Sequence, residues 1–140
     1  MLITTVFSQN KKQLTETDYS LWSKFNQTLM SLDGRWVSYG LEYEKADTLF
    51  LKNTTFKKSF CFPKANWATF SSKSDWFSYY QNDSLHLFDL KQKRKLFVDK
   101  MIVDYLYSGD GSYLLVFKNL KQFFFPVLYV YSLRMNVLKF

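Results

Sequence analysis

The side chains that could do covalent or proton-transfer chemistry are few. His86 is the only histidine, so any imidazole relay must pass through it. It stands between Leu85 and Leu87 in an alternating run, opposite their face, where a strand histidine packs between neighbouring sheets. A serine–histidine–acid set is therefore not supported by these residues. Cys61 is the only cysteine, which excludes an internal disulfide and leaves no metal-ligand set of the usual spacing. Its setting, Ser59-Phe60-Cys61-Phe62, is apolar and predicts a buried, inert thiol. A hydrolase nucleophile elbow needs Gly-x-Ser-x-Gly, and none of Gly34, Gly40, Gly109 and Gly111 frames a serine that way. Gly109-Asp110-Gly111-Ser112 reads as a turn, since the Lys and Ser/Thr of a phosphate-binding loop do not follow. No catalytic, cofactor-binding or metal-ligating residue is assigned.

Two further stretches carry binding chemistry. Lys91-Gln92-Lys93-Arg94-Lys95 is the densest basic run and could hold a polyanion. It falls where Lys57-Lys58 falls one repeat earlier, which makes it a solvated hairpin tip. Phe123-Phe124-Phe125-Pro126 breaks the local alternation and reads either as a buried loop or as an exposed contact with a partner. Aromatics interleaved with basic residues could stack bases, yet their period of two assigns them to a core first.

The elements that would position these residues come from a threefold repeat. Ser31 to Tyr39 (SLDGRWVSY) returns as Ser71 to Tyr79 (SSKSDWFSY) and as Ser108 to Val116 (SGDGSYLLV). Ser71 lies 40 positions after Ser31, and Ser108 a further 37. Each copy is a polar tip leading into an alternating strand, with Asp-Gly as a favoured tight-turn pair. In the second repeat, strands are expected at Asn66–Phe70, Trp76–Tyr80, Ser84–Leu90 and Lys95–Val98. The third strand recurs at Thr48–Thr54 and Val127–Leu133, so that Leu49, Leu85 and Leu128 align, as do Leu51, Leu87 and Val130. The fourth recurs at Ser59–Phe62 and Asn136–Phe140. Four short strands repeated at this period predict an all-β, partial β-propeller of three antiparallel blades, at about 25–64, 65–101 and 102–140. Propellers usually need four or more blades to close. Three would leave two open apolar flanks, so the chain is expected to be a piece of something longer or one part of an assembled ring.

Composition agrees with a packed β domain. Of 140 residues 47% are hydrophobic and 21% aromatic, which argues against disorder. The net charge of +7 comes from lysines scattered over many segments, so a nucleic-acid partner is not expected. No apolar run reaches the roughly 18 residues of a membrane span. Residues 1–24 form a lead-in, with one helical turn expected around Asp18 to Trp22 and capped by Asp18. Leu2 to Phe7 is either the tail of an export signal, with Val6-Phe7-Ser8 as its cleavage pattern, or an edge strand.

The lead-in and first blade carry a family resemblance. Lys11 to Asn53 resembles the beginning of the propeller in prolyl-oligopeptidase-family serine peptidases, most of all the secreted members of Bacteroidetes-type bacteria. The matching residues are Lys11-Lys12, Leu14, Tyr19, Trp22 and Ser31 to Val37, against a basic pair, a leucine, Tyr-x-x-Trp and an S-x-D-G-[KR]-[WY]-[VL] turn and strand. FSSKSDWFSYY and YSGDGSYLLVF are similar to the family's next blades. The resemblance implies a propeller that caps a separate C-terminal α/β-hydrolase domain and admits peptides rather than folded proteins. That domain and the remaining blades would be this chain's partners. It implies no catalytic residue here, and it favours export to the periplasm or beyond. The alternative is a propeller-type protein-binding module completed by oligomerisation.

Overall fold

The computed structural model describes residues 13–19, 22–43, 47–119 and 126–133. Leu2 to Phe7, the strand expected at Asn136–Phe140, and Phe123 to Phe125 lie outside the described residues.

A short helix α1 (Glu16–Tyr19) precedes eleven described strands. The cap differs from expectation. Thr15, not Asp18, starts the turn: the Thr15 N–H and Oγ1–H both donate to the Asp18 carboxylate, at 2.9 and 2.8 Å. Asp18 is thus the third helical residue reaching back, in the manner of a capping box.

Strands β1 (Ser23–Met30), β2 (Trp36–Tyr43), β3 (Thr48–Asn53) and β4 (Ser59–Pro63) form one antiparallel sheet in chain order. Strands β5 (Ala65–Phe70), β6 (Trp76–Gln81), β7 (Ser84–Asp89) and β8 (Arg94–Lys100) form the second. In the third, β9 (Ile102–Tyr107), β10 (Tyr113–Lys118) and β11 (Val127–Ser132) pair in the same consecutive order.

The turn before the second strand of each sheet is built the same way three times. The serine N–H donates to the carbonyl of the aromatic five residues on: Ser31 to Trp36, Ser71 to Trp76, Ser108 to Tyr113. The aromatic N–H returns to the serine Oγ at 2.9, 3.1 and 3.0 Å. Asp33 and Asp110 each accept from their serine hydroxyl and from a backbone N–H two residues on. Gly34 and Gly111 take the positive φ this loop demands, and in the second copy Ser74 takes it with φ 56°. Ser74 also ties two sheets together, because its Oγ accepts from the Asp33 N–H of the first sheet, at 3.2 Å.

Packing follows from the period of two. Trp36, Leu49, Leu51 and Phe62 of the first sheet meet Phe77, Tyr79 and Phe88 of the second in one core. The opposite face of the second sheet (Trp76, Tyr80, Leu85, Leu87) packs on Leu114, Val116 and Tyr131 of the third in another. Leu49, Leu51, Leu85 and Leu87 are thus buried as aligned pairs, each facing the next sheet. Their third-repeat equivalents, Leu128 and Val130, share that face but are 47% and 54% exposed, because no further sheet covers them among the described residues. Tyr113, the counterpart of Trp36 and Trp76, is exposed for the same reason.

Cys61 departs from its expected burial. On β4, Phe60 and Phe62 turn inward, so Cys61 points outward and is exposed. An apolar run predicts a strand buried on both faces, but β4 is the last strand of its sheet, with only one face against a neighbour. Alkylation by a thiol reagent in native buffer is therefore expected to reach one equivalent per chain without unfolding. A thiol that reacts only in denaturant would contradict this placement.

Candidate functional site

Where three sheets fan out, their first strands β1, β5 and β9 run side by side along the inner edge. All three are bulged: the pairing register slips between Phe25 and Thr28, between Asn66 and Thr69, and at the Phe117–Lys118 partner positions on β9. A bulge sets two residues against one and re-aims the side chains it carries. In β5 those residues are Trp67 and Ala68.

Trp67 has φ 46°, in the left-handed region. The other described non-glycine residues with positive φ sit in turns, whereas Trp67 lies within a strand. For a bulky residue this conformation is costly and must be held by its surroundings. Two neighbours hold it. The Gln27 side chain, from the bulge of β1, donates through Nε2 to the Ala68 carbonyl at 3.2 Å and accepts the Ala68 N–H at 3.3 Å. On the other side, the Tyr105 hydroxyl donates to the Trp67 carbonyl at 2.6 Å. The bulged peptide is thus bridged to both flanking sheets.

The indole remains 67% exposed. Tyr80 meets it edge-on at 5.6 Å, and itself lies 5.6 Å from the Tyr105 ring. Burial pushes the Tyr80 hydroxyl up to about 12, helped by the Asp104 carboxylate, and burial raises Tyr105 further. Both therefore remain neutral hydrogen-bond donors near neutral pH, Tyr80 to the Ile102 carbonyl at 3.0 Å.

Three hollows meet at Trp67. One of about 630 Å³ lies between the second and third sheets, beside Gln27, Tyr105 and Asp104. One of about 540 Å³ opens towards Lys64, Asn82 and Asp83. The third, about 390 Å³, lies towards the first sheet, with Asp47 and Asn26. Among the described residues they are lined by Asp47, Asp83 and Asp104 against one lysine, Lys64, on a chain whose net charge is +7.

The sequence-derived candidates lie elsewhere. His86 sits on β7, its ring stacked on Tyr79 at 5.6 Å and edge-on to Phe97 at 5.6 Å. Burial, with the nearby Lys95 ammonium, holds its pKa below the usual 6.5. The unfolded chain then takes up the proton more readily, so the stability owed to this residue is lost as pH falls below about 6.5. Replacing His86 with Phe, the residue at the matched position 50, is expected to flatten the decline in melting temperature between pH 7 and pH 5. An unchanged decline would show that other groups control it.

The basic run forms the β7–β8 hairpin tip and the start of β8, exposed along its length. Asp89 caps the turn by accepting the Lys91 and Gln92 N–H groups. Lys91 pairs with Asp75 at 2.8 Å and Lys95 lies over the Tyr79 ring at 5.6 Å, so the ammonium groups are spread between partners rather than gathered into one cradle.

What sequence reasoning missed is Trp67. Alternation through Asn66–Phe70 assigns it to an ordinary strand, with aromatics destined for the core. The bulge, which depends on Gln27 from 41 positions away, turns it out instead.

No protein-family model matches the sequence, and no curated protein matches it. Solved structures do. The β-propeller domain of the Trilobed protease from Pyrococcus furiosus, described as having an open velcro topology, aligns over 79% of this chain and 39% of that one, with TM-score 0.62 and 13% identity. An acylaminoacyl peptidase from Pyrococcus horikoshii aligns over 86% of this chain and 25% of that one, with TM-score 0.60 and 12% identity. An oligogalacturonate lyase from Vibrio parahaemolyticus aligns over 81% and 37%, with TM-score 0.53 and 9% identity. The chain spans about a quarter to two fifths of the length of these structures. At such identities the likeness is one of fold: the chain is an all-β, partial β-propeller.

Proposed function

We propose that this chain is a non-catalytic propeller segment of a prolyl-oligopeptidase-like serine peptidase, exported from the cytoplasm, that governs which peptides reach a separate hydrolase domain. The observation that carries the reading is the superposition on the propeller domain of a protease, at TM-score 0.62. The lead-in match from Lys11 to Trp22 points the same way. Gating needs a lined edge that admits an extended chain and excludes a folded one; on this reading the bulged strands β1, β5 and β9 would form part of that lining.

Sequencing the DNA on both sides of the reading frame tests this. Further blades followed by a Gly-x-Ser-x-Gly segment are the expected result, and basic and apolar codons upstream would complete the export signal. Unrelated genes on both sides would overturn it. So would peptidase activity of these 140 residues that disappears on mutating His86.

A second reading draws on the outer faces of the fan. Phe25 and Met30 on the first sheet and Leu106, Leu128 and Val130 on the third are exposed apolar side chains. A binding module completed by oligomerisation would cover them between copies. A monodisperse oligomer in sedimentation experiments favours that reading; a monomer removes it.

A further inference from the structure

The exposed indole at the inner edge has features that a packing residue lacks. Trp67 is held in a costly backbone conformation by bonds from both neighbouring sheets, and the result of that cost is to present its ring to solvent. Strain of this kind persists where surroundings over-determine it, and it gathers at ligand clamps. Tyr80 stands across the ring in a T-shaped contact at 5.6 Å, and two thirds of the residue remains open to solvent.

We infer that Trp67 is a platform for the cationic side chain of a peptide, with arginine as the best fit, held over the indole face and facing Asp104. Two independent features select this chemistry. Tryptophan offers the strongest ring quadrupole for a cation, and guanidinium groups stack on it flat. Around it, the described residues that line the hollows include three aspartates and one lysine, so their summed charge is negative on a basic chain. An anionic ligand, including a nucleic-acid strand, meets the reverse field there. The neutral hydroxyls of Tyr80 and Tyr105 are committed to backbone carbonyls and hold the platform rather than the ligand.

This inference rests on the reading that peptides pass along the inner edge and adds the class of side chain recognised there. The test uses this chain alone, so it reports on Trp67 whether or not a hydrolase domain follows. Titration calorimetry with acetyl-Ala-Arg-Ala-amide, compared with the same peptide carrying citrulline, isolates the charge. The arginine peptide is expected to bind about tenfold more tightly. Trp67→Phe should keep part of that preference and Asp104→Asn should lower it severalfold. Trp67→Gly should abolish it while leaving the melting temperature equal or higher, since glycine adopts φ 46° without strain.

Equal affinity for the two peptides overturns the inference, as does full retention of the preference in Trp67→Gly. A marked fall in the melting temperature of Trp67→Gly would make the indole a packing element, which also overturns it. Preferential shift of the Trp67 indole resonance by oligothymidylate, rather than by the arginine peptide, would replace it with a nucleic-acid site. If the peptides fail while the flanking DNA encodes the hydrolase, gating stands and only the arginine platform is lost.

Discussion

Phe77→Ala is expected to lower the unfolding free energy by about 3–5 kcal/mol, read from urea denaturation. Phe77 is completely buried, and its ring meets Phe70 at 4.9 Å, Tyr79 at 5.8 Å and Phe62 at 6.2 Å. Phe62 belongs to the first sheet, so truncation opens a cavity at the junction of two sheets rather than inside one. A loss of that size is a large share of the roughly 5–15 kcal/mol available to a domain. The internal comparison is Val130→Ala. It stands at the position matched by Leu51 and Leu87, but on the uncovered face, and its truncation should cost less than about 0.5 kcal/mol. Similar losses from both changes would mean that a covered face exists beyond the third sheet in solution. A loss under about 1 kcal/mol from Phe77→Ala would mean that the first two sheets are not packed as described.

The second large effect is expected at a turn. Gly34 and Gly111 occupy equivalent places in the first and third copies, with φ 69° and 64°. By backbone conformation alone, alanine at either should cost about 1–2 kcal/mol. Their surroundings separate them. A Cβ at Gly34 would meet nothing within 4 Å, whereas at Gly111 it would fall 2.8 Å from the Ser72 Oγ and 3.2 Å from the Lys73 backbone nitrogen. The serine oxygen can swing aside; the backbone nitrogen can give only if the turn of the second sheet moves. Gly111→Ala should therefore cost about 2–4 kcal/mol, clearly more than Gly34→Ala, in the same denaturation experiment. Equal costs would show that the two turns do not touch in solution.

Much of this architecture is legible in the residues themselves. The serine, the acid two residues on and the aromatic five residues on are a local device, closed by hydrogen bonds within six residues, so repetition in sequence becomes repetition in structure. The alignment of Leu49 with Leu85 and of Leu51 with Leu87 is legible because alternation is a property of the strand itself. The exposure of Cys61 is not, because the burial of a face depends on what lies opposite it, which alternation does not record. Nor is the capping role of Thr15 over Asp18, which rests on which residue leaves the extended conformation first. Trp67 is hidden for a stronger reason. Its conformation is set by Gln27 and Tyr105, residues of two other sheets, and its own neighbours in sequence spell an ordinary strand. The inner edge, where the candidate site lies, is the part of the molecule most dependent on distant partners.

The strand order also governs how the chain reaches this state. Among the described residues each strand pairs only with its neighbour in sequence, through short connections such as Asn82-Asp83 or the tips after Ser31 and Ser71. Contact order is accordingly low for an all-β protein, because little loop-closure entropy must be surrendered before a hairpin begins to gain. Refolding should resemble the successive zipping of adjacent hairpins rather than a search for remote partners. Long-range commitments, such as the faces of Trp36 and Trp76 against the next sheet, can be made after each meander has formed. A chain emerging from a ribosome or a translocation pore could thus complete one sheet while the next is still being delivered.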